Sequence, residues 1–296
     1  ITWTNAPGCN ASSVQQYVAA ALLTVAERRA LTLRGKTIGI VGVGNVGRRV
    51  DRLCRVLGMT TLLNDPPRAR AEGADGFVSL ADIVERADII TLHVPLARDG
   101  DDRTFHLVDR ALLGALRPDQ FLINTSRGEV VDSAALTEAL RERRLAGCVL
   151  DVWENEPDVD RQLLAAVDLA TPHIAGYSAD GKANGTAMSV QAVSRHFGLG
   201  LDHWYPRDVP PPPQSTITLA SSAGAVQQSI AAAVRATYDI VADDARLRAD
   251  PASFERQRVE HPVRREFVHH QLVIDGLPPD VARPLLSLGM RPIETP

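Results

Sequence analysis

The chain has 296 residues, 45% of them hydrophobic and 23% charged, and a formal net charge of −4. This length allows two domains and a small third one, and the composition excludes a disordered chain. The weakly acidic balance gives no reason to expect nucleic acid or an anionic membrane as a partner. The longest apolar stretch, around Tyr17–Ala26, is Ala-rich and too short to span a bilayer. Cys9, Cys54 and Cys148 are widely spaced and form no Cys-x-x-Cys, which argues for free thiols in a reducing compartment. A cytoplasmic location, no disulfide frame and no metal site are therefore expected. No charged-then-apolar leader opens the chain, and Ile1–Pro7 reads like the interior of a protein, so a missing N-terminus is expected.

In chain order, Asn10 is a helix N-cap followed by Val14, Tyr17, Val18, Ala21, Leu22 and Val25 at helical spacing. An apolar strand at Ile38–Val43 then runs through Gly42-Val43-Gly44-Asn45-Val46-Gly47 into a helix with Val50, Leu53 and Leu57 on one face. In Gly-x-Gly-x-x-Gly the first glycine permits a tight turn and the second lets backbone approach a pyrophosphate. The third lets helix pack on strand. The helix N-terminus supplies N–H groups and a positive dipole end for the phosphates. A second strand, Thr60–Asn64, ends on Asp65, where a ribose-binding carboxylate should stand about 20 residues on. The same carboxylate could bind a backbone turn instead.

Pro66-Pro67-Arg68 reads as a structure-breaking loop. Strands follow at Asp88–Val94, Gln120–Thr125, Cys148–Val152 and Asp168–Ala170. They alternate with helices at Leu80–Arg86, Asp109–Leu116, Ser133–Arg143 and Arg161–Ala166. The alternation predicts an α/β fold, a Rossmann-type doubly wound parallel sheet. A helix at Lys182–Phe197 closes this region, and Tyr205–Pro213 is a proline-rich linker. Beyond it, a strand at Thr216–Leu219, a helix at Gly224–Ile240, a strand at Glu266–Ile274 and a helix at Val281–Leu288 suggest a small α/β module. The domain reading is 1–30 as connecting segment and helix, 31–175 as nucleotide-binding domain, 176–205 as returning helix, and 206–296 as C-terminal domain.

In a doubly wound sheet, ligands sit beyond the carboxyl ends of the strands. Three polar clusters fall there: Asn124-Thr125-Ser126-Arg127-Gly128, Asp151-Val152-Trp153-Glu154-Asn155-Glu156 and Thr171-Pro172-His173-Ile174-Ala175-Gly176. Together they offer a guanidinium, a carboxylate and an imidazole, the groups that hydride transfer from an alcohol needs. A base removes the hydroxyl proton, a carboxylate holds that base in one tautomer, and a guanidinium grips a substrate carboxylate. Each also has a plain reading, with Arg127 a surface charge, Glu156 a loop acid and His173 one of eight histidines. His93, also at a strand end, reads as structural or cofactor-lining.

These segments, in this order, resemble the D-isomer-specific 2-hydroxyacid dehydrogenases. They are Gly39-Ile40-Val41-Gly42-Val43-Gly44-Asn45-Val46-Gly47, Leu92-His93-Val94-Pro95-Leu96, Ile123-Asn124 to Asp132, Leu150-Asp151 to Glu156-Pro157, and Thr171-Pro172-His173-Ile174-Ala175-Gly176. The tail, with Tyr238-Asp239-Ile240, Asp243–Arg248 and Arg264-Arg265-Glu266, sets the chain apart from generic members. The resemblance implies an NAD-dependent oxidoreductase in which Arg127, Glu156 and His173 are catalytic and His173 moves the proton. It assigns Gly42, Gly44, Asn45, Val46, Gly47, Asp65, Val94, Asp151 and Gly176 to NAD and Tyr177 to the substrate, a phosphorylated hydroxy acid. It also implies a homodimer formed through the tail, with Arg264 and Arg265 as candidates for charge pairs or phosphate contact there. Relatives carry a preceding block on the order of 80 residues, the size of a small domain, so the fold expected here includes only the remnant of a substrate domain. Gln15-Gln16 stands where relatives often carry an acid. A relative acting on phosphoglycerate or hydroxypyruvate, and a non-catalytic dinucleotide-sensing scaffold, are the alternatives.

Overall fold

The computed structural model describes residues 2–219 and 226–294. The elements are α1 (Ala11–Arg28), β1 (Thr37–Val41), α2 (Asn45–Val56), β2 (Thr60–Asn64), α3 (Pro66–Glu72), α4 (Leu80–Arg86) and β3 (Ile89–Leu92). Then come α5 (Arg110–Ala115), β4 (Phe121–Asn124), α6 (Ser133–Arg141), β5 (Gly147–Leu150), α7 (Arg161–Ala166), β6 (Leu169–Ala170) and α8 (Ala179–Phe197). The chain ends with β7 (Thr216–Ile217), α9 (Val226–Thr237), α10 (Ile240–Ala249), α11 (Phe254–Val259), β8 (Gln271–Val273), α12 (Pro279–Ser287) and β9 (Arg291–Ile293). They fall into two compact units, one of 21–175 with 240–260, the other of the residues up to 20 with 176–239 and 261 onward.

The first unit is built on six parallel strands in the order β2-β1-β3-β4-β5-β6. All residues of β3, β4 and β5 are buried, which explains why they read as continuous apolar runs and not as alternating ones. Strand order reverses between β1 and β3, and the Gly-rich turn leaves β1 at that point. Helices α2 and α4 pack on β1 and β2. Gly39 in β1 leaves room for α4, since a Cβ there would lie 2.3 Å from Ile83 Cγ2.

The expected strands and helices of this unit are present, with one difference. Pro66-Pro67-Arg68 opens helix α3 instead of breaking the chain. Asp65 caps it by accepting from Arg68 N at 3.1 Å, and the prolines occupy first-turn positions, where no helical N–H is required.

The sequence predicts one small module after the proline run. Its middle part, Ile240–Glu260, instead joins the sheet unit as α10 and α11. Asp244 Oδ1 accepts from Ala170 N in β6 at 2.8 Å, and Arg248 donates to Val167 O at 2.9 Å. Leu247 and Phe254 are fully buried in the same core as Leu122, Leu150 and Trp153. The physical reason is apolar area, because both side chains need a core and the six-stranded sheet provides one.

The second unit holds a three-stranded parallel sheet, β7-β8-β9, with α9 against α12. Strand β8 covers only three residues of the run predicted at Glu266–Ile274, because Phe267–His269 forms a 3-10 turn. Gly224 and Ala225, where the predicted helix began, lie outside the described residues. Helix α8 starts at Ala179, ahead of the predicted Lys182, because Ser178 caps it by accepting from Gly181 N at 2.8 Å.

Arg265 is spent inside this unit on buried Asp180, with Nη2 at 2.8 Å from Oδ1, and Asp180 Oδ2 also accepts from Glu266 N at 2.8 Å. Arg264 is buried too, donating to Ser13 Oγ and stacking 4.3 Å over Tyr238. Within one chain both guanidiniums are thus already engaged, Arg265 by Asp180 and Arg264 by Ser13, whereas the sequence reading offers them for charge pairs or phosphate contact across a dimer. Gln16 donates to Thr237 Oγ1 and Arg265 O, so a neutral amide serves where an acid was expected.

Docking of Ile240–Glu260 on the six-stranded sheet predicts a large core effect. Phe254→Ala should cost about 3–5 kcal/mol by urea unfolding, whereas Val259→Ala, at a residue 79% exposed, should stay within about 0.5 kcal/mol. Equal small effects would show that the segment does not share the sheet's core.

Candidate active site

The three glycines of the β1–α2 turn have distinct surroundings. Gly42 has φ +88°, and a Cβ there would meet His93 O at 2.6 Å. Gly44 has nothing within 4 Å of such a Cβ, while at Gly47 it would sit 2.0 Å from Gly42 O. The first glycine therefore makes the turn, the second leaves open space in front of α2, and the third allows close packing. Asn45, Val46 and Gly47 form the first turn of α2, whose N–H groups have no carbonyl four residues back in the helix. That geometry suits a pyrophosphate.

Beside the turn is a cavity of about 470 Å³ lined by Gly42, Gly44, Asp65, His93, Val94 and Thr104, among others. Asp65 does two jobs at its edge. One oxygen caps α3, and the other accepts from Val43 N at 2.8 Å, which ties the Gly-rich turn to the end of β2. Arg68 is engaged by Glu72 at 2.8 Å and by Val43 O at 2.7 Å. The open Gly44, the first-turn amides and the edge carboxylate fit a dinucleotide.

The register of β4, β5 and β6 aligns Asn124 with Leu150 and Leu150 with Ala170, so the three polar clusters leave the sheet side by side. Asn124 shapes the first of them. Its Oδ1 accepts from Ser126 N at 3.0 Å and its Nδ2 donates to Arg127 O at 2.9 Å. Arg127 is exposed, donates to Ser126 O at 2.6 Å, and makes no ion pair among the described residues.

Glu156 and His173 are hydrogen-bonded, with Oε2 2.7 Å from Nδ1. A carboxylate accepts only, so Nδ1 carries the proton and Nε2 is the basic nitrogen. Nε2 has no hydrogen-bond partner among the described residues, and the His173 side chain is 30% exposed. Glu156 is held in turn by accepting from Trp153 N at 2.8 Å.

Burial alone would lower the His173 pKa. The Glu156 hydrogen bond, with the charges of Asp151 and Glu156, outweighs burial and the opposing Arg258 charge, so the imidazole stands above its ordinary value. Asp151 is buried and raised by that burial, against the charge of His173 and its hydrogen bonds. Its oxygens accept from Thr171 Oγ1 at 2.7 Å, Ile174 N at 2.8 Å and Ala175 N at 2.9 Å. It thus shapes the loop that carries His173. Burial pushes His93 down to about 3, which keeps it neutral between Thr91 and Thr125.

Gly176 and Tyr177 belong to the second compact unit. There a Cβ on Gly176 would meet Asn10 Nδ2 at 2.2 Å, and Lys182 Nζ lies 4.7 Å over the Tyr177 ring. Two contributors escaped the sequence reading. Arg258 acts on His173 from 85 positions away, with no local signal, and Glu154 shares its cluster with Asp151 and Glu156, so nothing local distinguishes it.

A parallel sheet with a dinucleotide turn at its switch point and a Glu–His pair at its carboxyl edge defines a nicotinamide-dependent dehydrogenase. Solved structures agree. The NAD-dependent formate dehydrogenase of Staphylococcus aureus, in complex with NAD, matches at TM-score 0.56 and 25% identity, over 69% of this chain and 66% of that one. The NADPH-dependent glyoxylate/hydroxypyruvate reductase of Sinorhizobium meliloti matches at TM-score 0.54 and 28% identity, over 69% of each chain.

Residues 10–175 match the NAD-binding domain of the D-isomer specific 2-hydroxyacid dehydrogenases, and 209–289 match a domain of unknown function. An erythronate-4-phosphate dehydrogenase of Bacteroides fragilis is 46% identical over 93% of this chain and 76% of its own length. One of Escherichia coli O157:H7 is 42% identical over 100% of this chain and 78% of its own. The chain belongs to the D-isomer-specific 2-hydroxyacid dehydrogenase family and, within it, to the erythronate-4-phosphate dehydrogenases.

Removing the Glu156 charge should lower the His173 pKa. With His173 as the proton acceptor, oxidation would need the neutral ring, so in Glu156→Gln the acidic limb of kcat/KM should move to lower pH. Reduction requires the protonated ring, so its basic limb also moves to lower pH. Profiles recorded in both directions check this, and two unmoved limbs would exclude Glu156 as the partner.

Proposed function

We propose that this chain oxidises 4-phospho-D-erythronate to (R)-3-hydroxy-2-oxo-4-phosphooxybutanoate with NAD, a step of pyridoxal 5'-phosphate biosynthesis. The observation that carries the reading is the Glu156–His173 hydrogen bond, which leaves Nε2 basic and accessible at the carboxyl edge of a dinucleotide fold. The substrate follows from the named relatives. NAD, when bound, accepts the hydride from C2.

The chain's own residues do the rest. His173 Nε2 takes the C2 hydroxyl proton, and Glu156 stabilises the imidazolium that results. Arg127 holds the substrate carboxylate and polarises the forming carbonyl, as a planar guanidinium does well. Asn45, Val46 and Gly47 meet the pyrophosphate, Val94 lines the cofactor cavity and Asp65 faces the ribose. The roles proposed for Tyr177 (substrate) and for Gly176 and Asp151 (cofactor) rest on the family resemblance. A carboxylate at position 65 repels a 2'-phosphate, and Arg68, occupied by Glu72, does little to offset it.

NADH formation should be seen with 4-phospho-D-erythronate and NAD, and far less with NADP. Preferred turnover of 3-phosphoglycerate or hydroxypyruvate would reassign the substrate. Binding of NADH with no turnover of any 2-hydroxy acid would favour a dinucleotide-sensing scaffold.

The protein is further proposed to be a homodimer located in a reducing cytoplasm. Free Cys9, Cys54 and Cys148 support the compartment, and among the described residues no helix is long and apolar enough to cross a membrane. Exposed Val263 and Val268, in the part of the tail assigned to the second unit, are suited to an isologous contact. Sedimentation should show a dimer that Val263→Glu with Val268→Glu dissociates, and a dimer that survives both would place the contact elsewhere.

A further inference from the structure

Two residues before Glu156, Glu154 makes a second carboxylate–imidazole pair that the reaction above does not use. Its Oε1 lies 2.7 Å from His106 Nε2, and its Oε2 accepts from Ser133 N, at the start of α6, at 3.1 Å. The carboxylate can only accept, so His106 Nε2 bears the proton. The side chains are only 28% and 22% exposed.

His106 is itself fixed. Its N–H donates to Glu129 O at 2.8 Å, and its ring stacks on Phe105 with centroids 4.1 Å apart. Its φ of +50° is uncommon for a residue with a Cβ. Glu129 lies in the 3-10 turn Gly128–Val130, directly after Arg127. A Cβ on Gly128 would sit 2.0 Å from the Trp153 carbonyl, so this turn lies directly on the loop that carries Glu156. One hydrogen-bonded pair therefore joins three segments, 104–108, 127–133 and 151–157.

We propose that the His106–Glu154 pair is a brace that sets the spacing between Arg127 and the Glu156–His173 couple. His106 and Glu154 are then positioning residues for the dehydrogenase reaction. The inference rests on the catalytic reading of Arg127, Glu156 and His173. Glu156 is held by the backbone of its own loop through Trp153 N, so wherever that loop moves, the carboxylate facing His173 moves with it. Small misplacements of this kind are costly, since about 1 Å can lose 100-fold in rate.

The test uses the full-length enzyme carrying Glu154→Ala, Glu154→Gln or His106→Gln. Glu154→Ala should lower kcat by roughly tenfold or more while leaving NADH affinity within about twofold. It should move the acidic limb of oxidation, and the NMR titration of the His173 ring, to lower pH as Glu156 relaxes away. The groups facing His173 are Glu156, Asp151 and Arg258, and none of them is altered. Glu154→Gln, which still offers an acceptor to Ser133 N, should recover part of the loss, and His106→Gln should reproduce the shift.

A lower melting temperature with kcat and the His173 titration unchanged in the folded variants would overturn the proposal. If Glu154→Ala fails to fold, His106→Gln decides by the same two readouts. The His173 titration needs no substrate, and rates are compared on whichever 2-hydroxy acid the wild type turns over. Failure of the brace is thereby separable from failure of the assigned substrate.

Discussion

The turn at Gly42 sets the terms for everything around it. Its backbone leaves β1 with φ +88° directly against the His93 carbonyl, an approach that no side chain permits. Because Gly47 then packs on Gly42 O, α2 begins immediately, with its first-turn amides unpaired within the helix. Asp65 fastens the same turn from the other side through Val43 N. A dinucleotide site at this point is a consequence of where the parallel sheet reverses its strand order.

The groups proposed to react follow from the opposite half of the sheet. Strands β4, β5 and β6 end in register, so the loops bearing Arg127, Glu156 and His173 emerge as neighbours despite lying up to 46 positions apart. Two of these loops are shaped by a buried polar residue at the strand end, and the third by a half-buried acid within it. Asn124 folds the Arg127 turn and Asp151 folds the His173 turn, while Glu154 accepts from Ser133 N in the loop between them. Buried polar groups must find partners, and here their partners are the backbone amides that decide where the exposed groups point.

The tail has two destinations. Apolar Leu247 and Phe254 draw α10 and α11 into the core of the dehydrogenase unit, while Arg265 and Glu266 are consumed by Asp180 and Ser178 in the other. The region matched as a domain of unknown function is thus divided between the two compact units, and its Arg258 contributes to the charge environment of His173.

Much of this was legible in the sequence because the signals were local. Apolar runs of four to five residues marked the strands. The glycine spacing marked the β1–α2 turn, and the polar clusters holding Arg127, Glu156 and His173 were visible at the strand ends, their roles resting on the proposed reaction. Where the sequence misled, the deciding interaction was non-local or depended on a single conformation. Pro66-Pro67 looks like a break until Asp65 is seen capping a helix, and Ile240–Glu260 looks like part of a small module until the sheet's core is available to it. The tautomer of His173, the pairing of His106 with Glu154 and the burial of Arg264 and Arg265 belong to the tertiary structure alone. Each depends on distances between segments far apart in the chain, and residue order does not encode those distances until the core has packed.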